Sequence, residues 1–86
     1  LKQDPELYAR GLIQLSRYYF GLQDWQNSLR ALKKFLVSFP GHAFSAKAKG
    51  LIGEVYFNLK RYDDATRWMA RALKDKHAFK DKQLRA

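Results

Sequence analysis

Apolar residues recur along this chain at helical spacing, in four blocks separated by short links. In the first block Leu7, Leu12, Leu15, Tyr19 and Leu22 are predicted to face inward, and Asp4-Pro5-Glu6 marks the start. Asp caps free backbone N–H groups, Pro suits the first helical position, and Glu is favoured at the positive end of the helix dipole. Gly21 lies where this helix should turn. Asp24 then caps a second helix, with Trp25, Leu29, Leu32, Phe35 and Leu36 on one face. Phe39-Pro40-Gly41 ends it, because Pro lacks a donor and Gly permits left-handed backbone. A third helix is expected to start between Ala43 and Ala46 and to run to about Leu59, with Ala48, Ile52, Tyr56 and Leu59 inward. Lys60-Arg61 link it to a fourth, starting near Tyr62, with Ala65, Met69, Ala72 and Leu73 inward. Asp63 and Asp64 open that helix and Lys74 and Lys76 close it, each at the dipole end that favours its charge.

The pattern repeats at an offset of 37 residues. Tyr19-Phe20-Gly21-Leu22 falls on Tyr56-Phe57-Asn58-Leu59, Ala9 on Ala46, Arg30 on Arg67 and Leu36 on Leu73. Arg10 with Lys47, Leu15 with Ile52, Ser16 with Gly53, Trp25 with Tyr62 and Ser28 with Ala65 are conservative pairs. A fixed period of roughly 20–50 residues marks a solenoid, whose units bury their apolar faces against their neighbours. A second echo lies in the tail, where His42-Ala43-Phe44 recurs as His77-Ala78-Phe79. The first copy leads into the third helix, so a fifth is expected over about 79–86, as the opening of a third repeat or a cap.

These units resemble the tetratricopeptide repeat. Leu12, Leu15, Ser16, Tyr19, Ser28, Leu32 and Pro40 stand at its signature positions in the first unit, and Ile52, Gly53, Tyr56, Ala65, Met69 and Ala72 in the second. Small residues at Ser16 and Gly53 would let paired helices cross closely. Lys49, Phe35 and His77 depart from the usual bulky, small and Pro positions. The long link around Pro40 to Ser45 is similar to that of repeats in bacterial cell-envelope proteins, of the Tol–Pal-associated periplasmic and barrel-assembly lipoprotein type. The resemblance implies an all-α fold, with two helix-turn-helix pairs in a right-handed superhelical stack plus the C-terminal helix. One domain spans 1–86, with repeat one over about 9–45 and repeat two over about 46–77. It suggests the periplasm or cell envelope, with the cytoplasm left open.

In that family the first helix of each pair lines a concave groove. By that analogy Arg10, Ile13, Arg17 and Phe20 face it from repeat one, and Lys47, Gly50, Glu54 and Phe57 from repeat two. The implied function is non-catalytic: a scaffold that binds a peptide or partner protein within a multiprotein assembly. The two Phe residues would act as apolar steps, and the cations would attract an acidic partner. Some family members grip a terminal carboxylate with Lys and Asn. Ile13, Arg17, Gly50 and Glu54 occupy the two main positions of that clamp in the two repeats, which argues against a receptor of that kind.

Charge adds a rival. The chain has 86 residues, a net charge of +9 and a pI near 10.0. Arg30, Lys33, Lys34, Arg67, Arg71 and Lys74 would align as a basic ridge on the convex back, suited to nucleic acid or an anionic surface. A solvated face is the plainer account of such a run. A third reading is a structural segment of a longer array, with flanking repeats or self-association. The chain does not begin with Met and is read as a piece of a longer protein. No run is apolar and long enough for a membrane helix. There is no Cys, and His42 and His77 read as linker residues rather than metal ligands. No nucleophile motif or phosphate loop is present, so no catalytic residue, metal or cofactor is expected.

Overall fold

A computed structural model describes residues 4–78, and the expected helix over 79–86 lies outside them. The described residues are all-α, with no strand. They form α1 (Pro5–Gly21), α2 (Trp25–Ser38), α3 (Ser45–Asn58) and α4 (Tyr62–Lys74). No helix among them is long and apolar enough to cross a membrane.

Local chemistry accounts for the starts. The Asp4 carboxylate accepts from the Glu6 and Leu7 N–H groups at 3.0 and 3.4 Å. Asp24 accepts from the Asn27 N–H at 3.3 Å and from its side-chain amide at 2.7 Å. α3 and α4 begin without a side-chain cap. Ser45, which opens α3, sends its hydroxyl 2.6 Å to Asp75 beyond the end of α4 instead.

The ends of α1 and α3 are built alike. In the first, Gln23 N–H donates to Phe20 O and Asp24 N–H to Tyr19 O, both at 2.9 Å. In the second, Lys60 N–H donates to Phe57 O and Arg61 N–H to Tyr56 O, again at 2.9 Å. Gln23 and Lys60 have φ of 61° and 64°, the left-handed residue of a Schellman closure. The matching tetrapeptides therefore supply the last helical carbonyls of two equal turns. Gly21 is the last residue of α1 and does not take the left-handed position.

α1 packs on α2 and α3 on α4, and α2 against α3 joins the two hairpins. α2 contributes the expected face: Leu29, Leu32 and Phe35 are buried, with Trp25 and Leu36 against them. On α3, Ala48, Ile52 and Tyr56 are buried and Leu59 packs alongside, as expected; Ser45, Gly53 and Val55 join them. On α1 the expectation holds for Leu12 alone, because the helix buries Ala9, Ile13 and Ser16 beside it. Leu7, Leu15 and Leu22 are exposed, and Tyr19 is half-buried. The buried stripe takes in the small residues Ala9 and Ser16, which admit a neighbouring helix, and is rotated from the expected face so that Ile13 rather than Leu15 lies within it. On α4, Ala65 is buried and Ala72 half-buried, but Met69 and Leu73 are exposed. Among the described residues its main packing partner is α3.

Small residues do set the closest approaches. A Cβ at Gly53 would stand 3.1 Å from Met69 side-chain atoms, so α3 meets α4 there. At the counterpart position, Ser28 of α2 donates its hydroxyl to Ser16 O of α1 at 2.9 Å.

Candidate functional site

A hollow of about 270 Å³ opens between α1 and α3, lined by Ser16, Arg17, Phe20, Gly21, Leu51 and Glu54, with Ser28 at its base. Three of the groove residues expected from sequence thus come together: Arg17, Phe20 and Glu54. Arg17 and Glu54 are exposed, while Phe20 is half-buried edge-on against Trp25 at 5.0 Å. Leu51 was missed in sequence because it lies outside the repeated matches.

The other expected residues go elsewhere. Ile13 is 5% exposed and belongs to the core, a correction to its placement on the groove wall. The stripe through Ala9, Leu12 and Ser16 includes it, so it turns toward the neighbouring helices. Arg10 is exposed and pairs with Glu6 at 3.1 Å. Lys47 stands over the Phe44 ring at 6.0 Å and lines a separate hollow at the far end of the second hairpin. Gly50 is half-buried with no neighbour near a would-be Cβ. Phe57 is 59% exposed and meets Tyr62 edge-on at 5.4 Å. Phe20–Trp25 and Phe57–Tyr62 are counterpart pairs that clasp each hairpin, one covered by the next hairpin and the other open.

The basic residues divide. Lys33 and Arg71 line a hollow of about 510 Å³ with Leu36, Val37, Pro40, Lys49 and Trp68. The Arg71 guanidinium stacks 4.2 Å from the Trp68 ring centroid, a cation–π contact, and Lys33 donates to Tyr56 Oη at 3.1 Å. Trp68 is therefore a wall of this hollow, packed on the core. Arg30 is engaged by Asn27 and Arg67 by Asp64, while Lys34 and Lys74 are exposed.

Two polar knots tie the links to the helices. His42 accepts from the Phe44 N–H at Nδ1, 2.9 Å, and so presents Nε2–H to Glu6, 2.9 Å away. His42, and next Arg10, hold the Glu6 carboxyl below its usual range by hydrogen bonding to its charged form. The second knot is Asp75, whose side chain is 6% exposed. Burial pushes its carboxyl up, but bonds from the Ser45 hydroxyl, the His77 N–H and the Lys49 ammonium outweigh that and bring it to about 2. Lys49, at a position the repeat pattern fills with a bulky apolar residue, serves as the cation for a buried carboxylate. The His42 ring has a local role in its link, whereas His77 contributes its backbone N–H and keeps its ring Nε2 buried without a hydrogen-bond partner among the described residues, where no three potential metal ligands gather.

No family model, curated protein or solved structure matches this chain.

Proposed function

We propose that this chain is a pair of tetratricopeptide-type repeats that binds a protein partner, without catalysis, along the side formed by α1 and α3. The observation that carries this reading is the recurrence of one hairpin at 37 residues, with equal turns at Gln23 and Lys60 and equal aromatic clasps. A chain built from repeated hairpins presents the same helix of each unit on one side, which suits an extended or helical segment. The hollow at Arg17, Phe20, Leu51 and Glu54 has an apolar wall and one charge of each sign at its rim. It takes an apolar side chain flanked by an acidic residue next to Arg17, with Phe57 as a second apolar step. The partner belongs to a multiprotein assembly. The similarity to envelope repeats makes the periplasmic face of a bacterial envelope the setting to examine first.

The test is an affinity pull-down with the chain as bait, with and without nuclease, read by mass spectrometry. It is repeated with Arg17→Glu and Phe57→Ala, both at exposed positions. A defined protein set that survives nuclease and falls at least about tenfold with either variant supports the proposal. Recovery unchanged in both variants, with the helical circular dichroism intact, rejects this site. A catch that disappears with nuclease moves the function to the basic residues around Lys33 and Arg71.

A further inference from the structure

The two hairpins are equivalent in sequence but unequally covered. On α3, Ala48, Ile52 and Val55 are 0% exposed and Leu59 is half-buried. Their counterparts 37 residues earlier are Gly11, Leu15, Tyr18 and Leu22, which form one stripe along α1. There Leu15 is 43%, Tyr18 63% and Leu22 59% exposed. The contrast comes from position in the stack. Ser45, Lys49 and Gly53 turn one side of α3 toward α4 and its end, through Asp75 and Met69. Ala48, Ile52 and Val55 lie in the core with Leu29, Leu32 and Phe35 of α2, the helix through which the first hairpin packs on α3. α1 likewise turns Tyr8 and Ser16 toward α2, by the Tyr8–Phe39 edge contact at 5.8 Å and the Ser28–Ser16 bond. Its remaining stripe is uncovered by any described residue.

Among the described residues the α4 end is uncovered in the complementary way. Ala72 and Leu73 are the counterparts of Phe35 and Leu36, which pack into the core where the hairpins join. Leu73 is 58% exposed and, with Ala72, Phe44 and Lys47, lines a hollow of about 480 Å³.

We infer that the Gly11–Leu15–Tyr18–Leu22 stripe of one chain receives the α4 end of a second copy, head to tail, as α3 is received by the first hairpin. The internal junction is the template on three counts. The donor surface at Ala72 and Leu73 stands in register with Phe35 and Leu36. The acceptor stripe stands in register with Ala48, Ile52, Val55 and Leu59. Charge also matches: Arg17 and Glu54 line the internal hollow together and are themselves counterparts at 37 residues. A second copy therefore sets its Arg17 against Glu54 of the first, again opposite in sign. Each copy carries +9, so long-range repulsion opposes the contact and salt screens it. Donor and acceptor are different surfaces, so the contact is heterologous and adds copies beyond two. The inference stands apart from the proposed groove function, because Leu15 and Leu73 are outside that hollow.

Sedimentation equilibrium of the whole chain tests it, from about 10 μM to about 1 mM in about 0.3 M salt. The weight-average mass rises past that of a dimer. Leu15→Glu and Leu73→Glu, both at exposed sites and checked by circular dichroism, each remain monomeric alone. Mixed, they form a heterodimer and stop, since one intact stripe and one intact α4 end remain. A wild type that stays monomeric throughout overturns the inference. So does either variant associating alone, which marks a symmetric contact. A monomeric wild type with a Leu73→Glu variant that melts several degrees lower also overturns it, and places the chain's own residues on the α4 face.

Discussion

At the scale of single residues, the polar groups that matter most are those buried far from their sequence neighbours. Asp75 is the strongest case. It gathers the Ser45 hydroxyl, the Lys49 ammonium and the His77 N–H, and so ties the end of α4 to the start of α3. Its carboxyl sits at about 2 in the fold against an ordinary 3.8. Folding therefore favours the ionised form. The stability this adds is present above about pH 4 and is lost as pH falls through about 2. It amounts to about 2 kcal/mol. Thermal melts of wild type and Asp75→Asn at steps from about pH 5 to about pH 2 should show the gap between them closing over that interval. Equal acid sensitivity of both proteins would reject the role. None of this was legible in the sequence, where Lys49 reads only as a departure from the repeat pattern. The partners are 26 and 30 residues apart, and only the hairpin brings them together. The caps at Asp4 and Asp24 were legible because their partners lie within three residues.

At the scale of elements, the α1–α2 and α3–α4 turns are where local chemistry and repeat coincide. Both closures place an L-residue at positive φ, Gln23 and Lys60, although Gly is the residue that takes this geometry without steric cost. Gln23→Gly and Lys60→Gly should each raise stability by about 0.5–1 kcal/mol in urea unfolding, while Gly21→Ala should leave the turn intact. A loss on either Gly exchange would mean that the side chain at that turn makes a contact worth more than the relief. The helix faces were legible in proportion to how large their buried residues are. α2 buries Leu29, Leu32 and Phe35 and was read correctly. α1 buries the small Ala9 and Ser16, which hydropathy ranks low, and turns Ile13 rather than Leu15 inward beside Leu12, because the neighbouring helices and not the apolar pattern alone set its rotation.

At the scale of the molecule, the core is centred where the hairpins meet. Phe35 is 0% exposed and packs against Phe39 at 5.7 Å and His42 at 5.2 Å, linking α2 to the long link before α3. Phe35→Ala should cost about 3–5 kcal/mol by leaving a cavity there. Phe57→Ala, at an equally aromatic but open position, should cost less than about 1 kcal/mol. Chemical denaturation of the two variants distinguishes them, and similar losses would mean that Phe57 is covered in solution. The same difference in covering separates Phe20 from Phe57 and Ile52 from Leu15, pairs that the repeat makes equal. Of the groove residues expected from sequence, Arg17, Phe20 and Glu54 share one hollow. Ile13 is lost to the core, and Lys47 faces the far end.

Sequence alone determined the four helices, two of their caps and the inner face of α2, because each depends on residues within a turn or two of one another, and the period of 37, because it is visible when the chain is set against itself. The tertiary structure alone decided which copy of each repeated position is buried and which carboxylates are held ionised. Those outcomes depend on what lies across the helix interface. A chain with two copies of one pattern has one internal junction and two ends, so equal residues meet unequal surroundings.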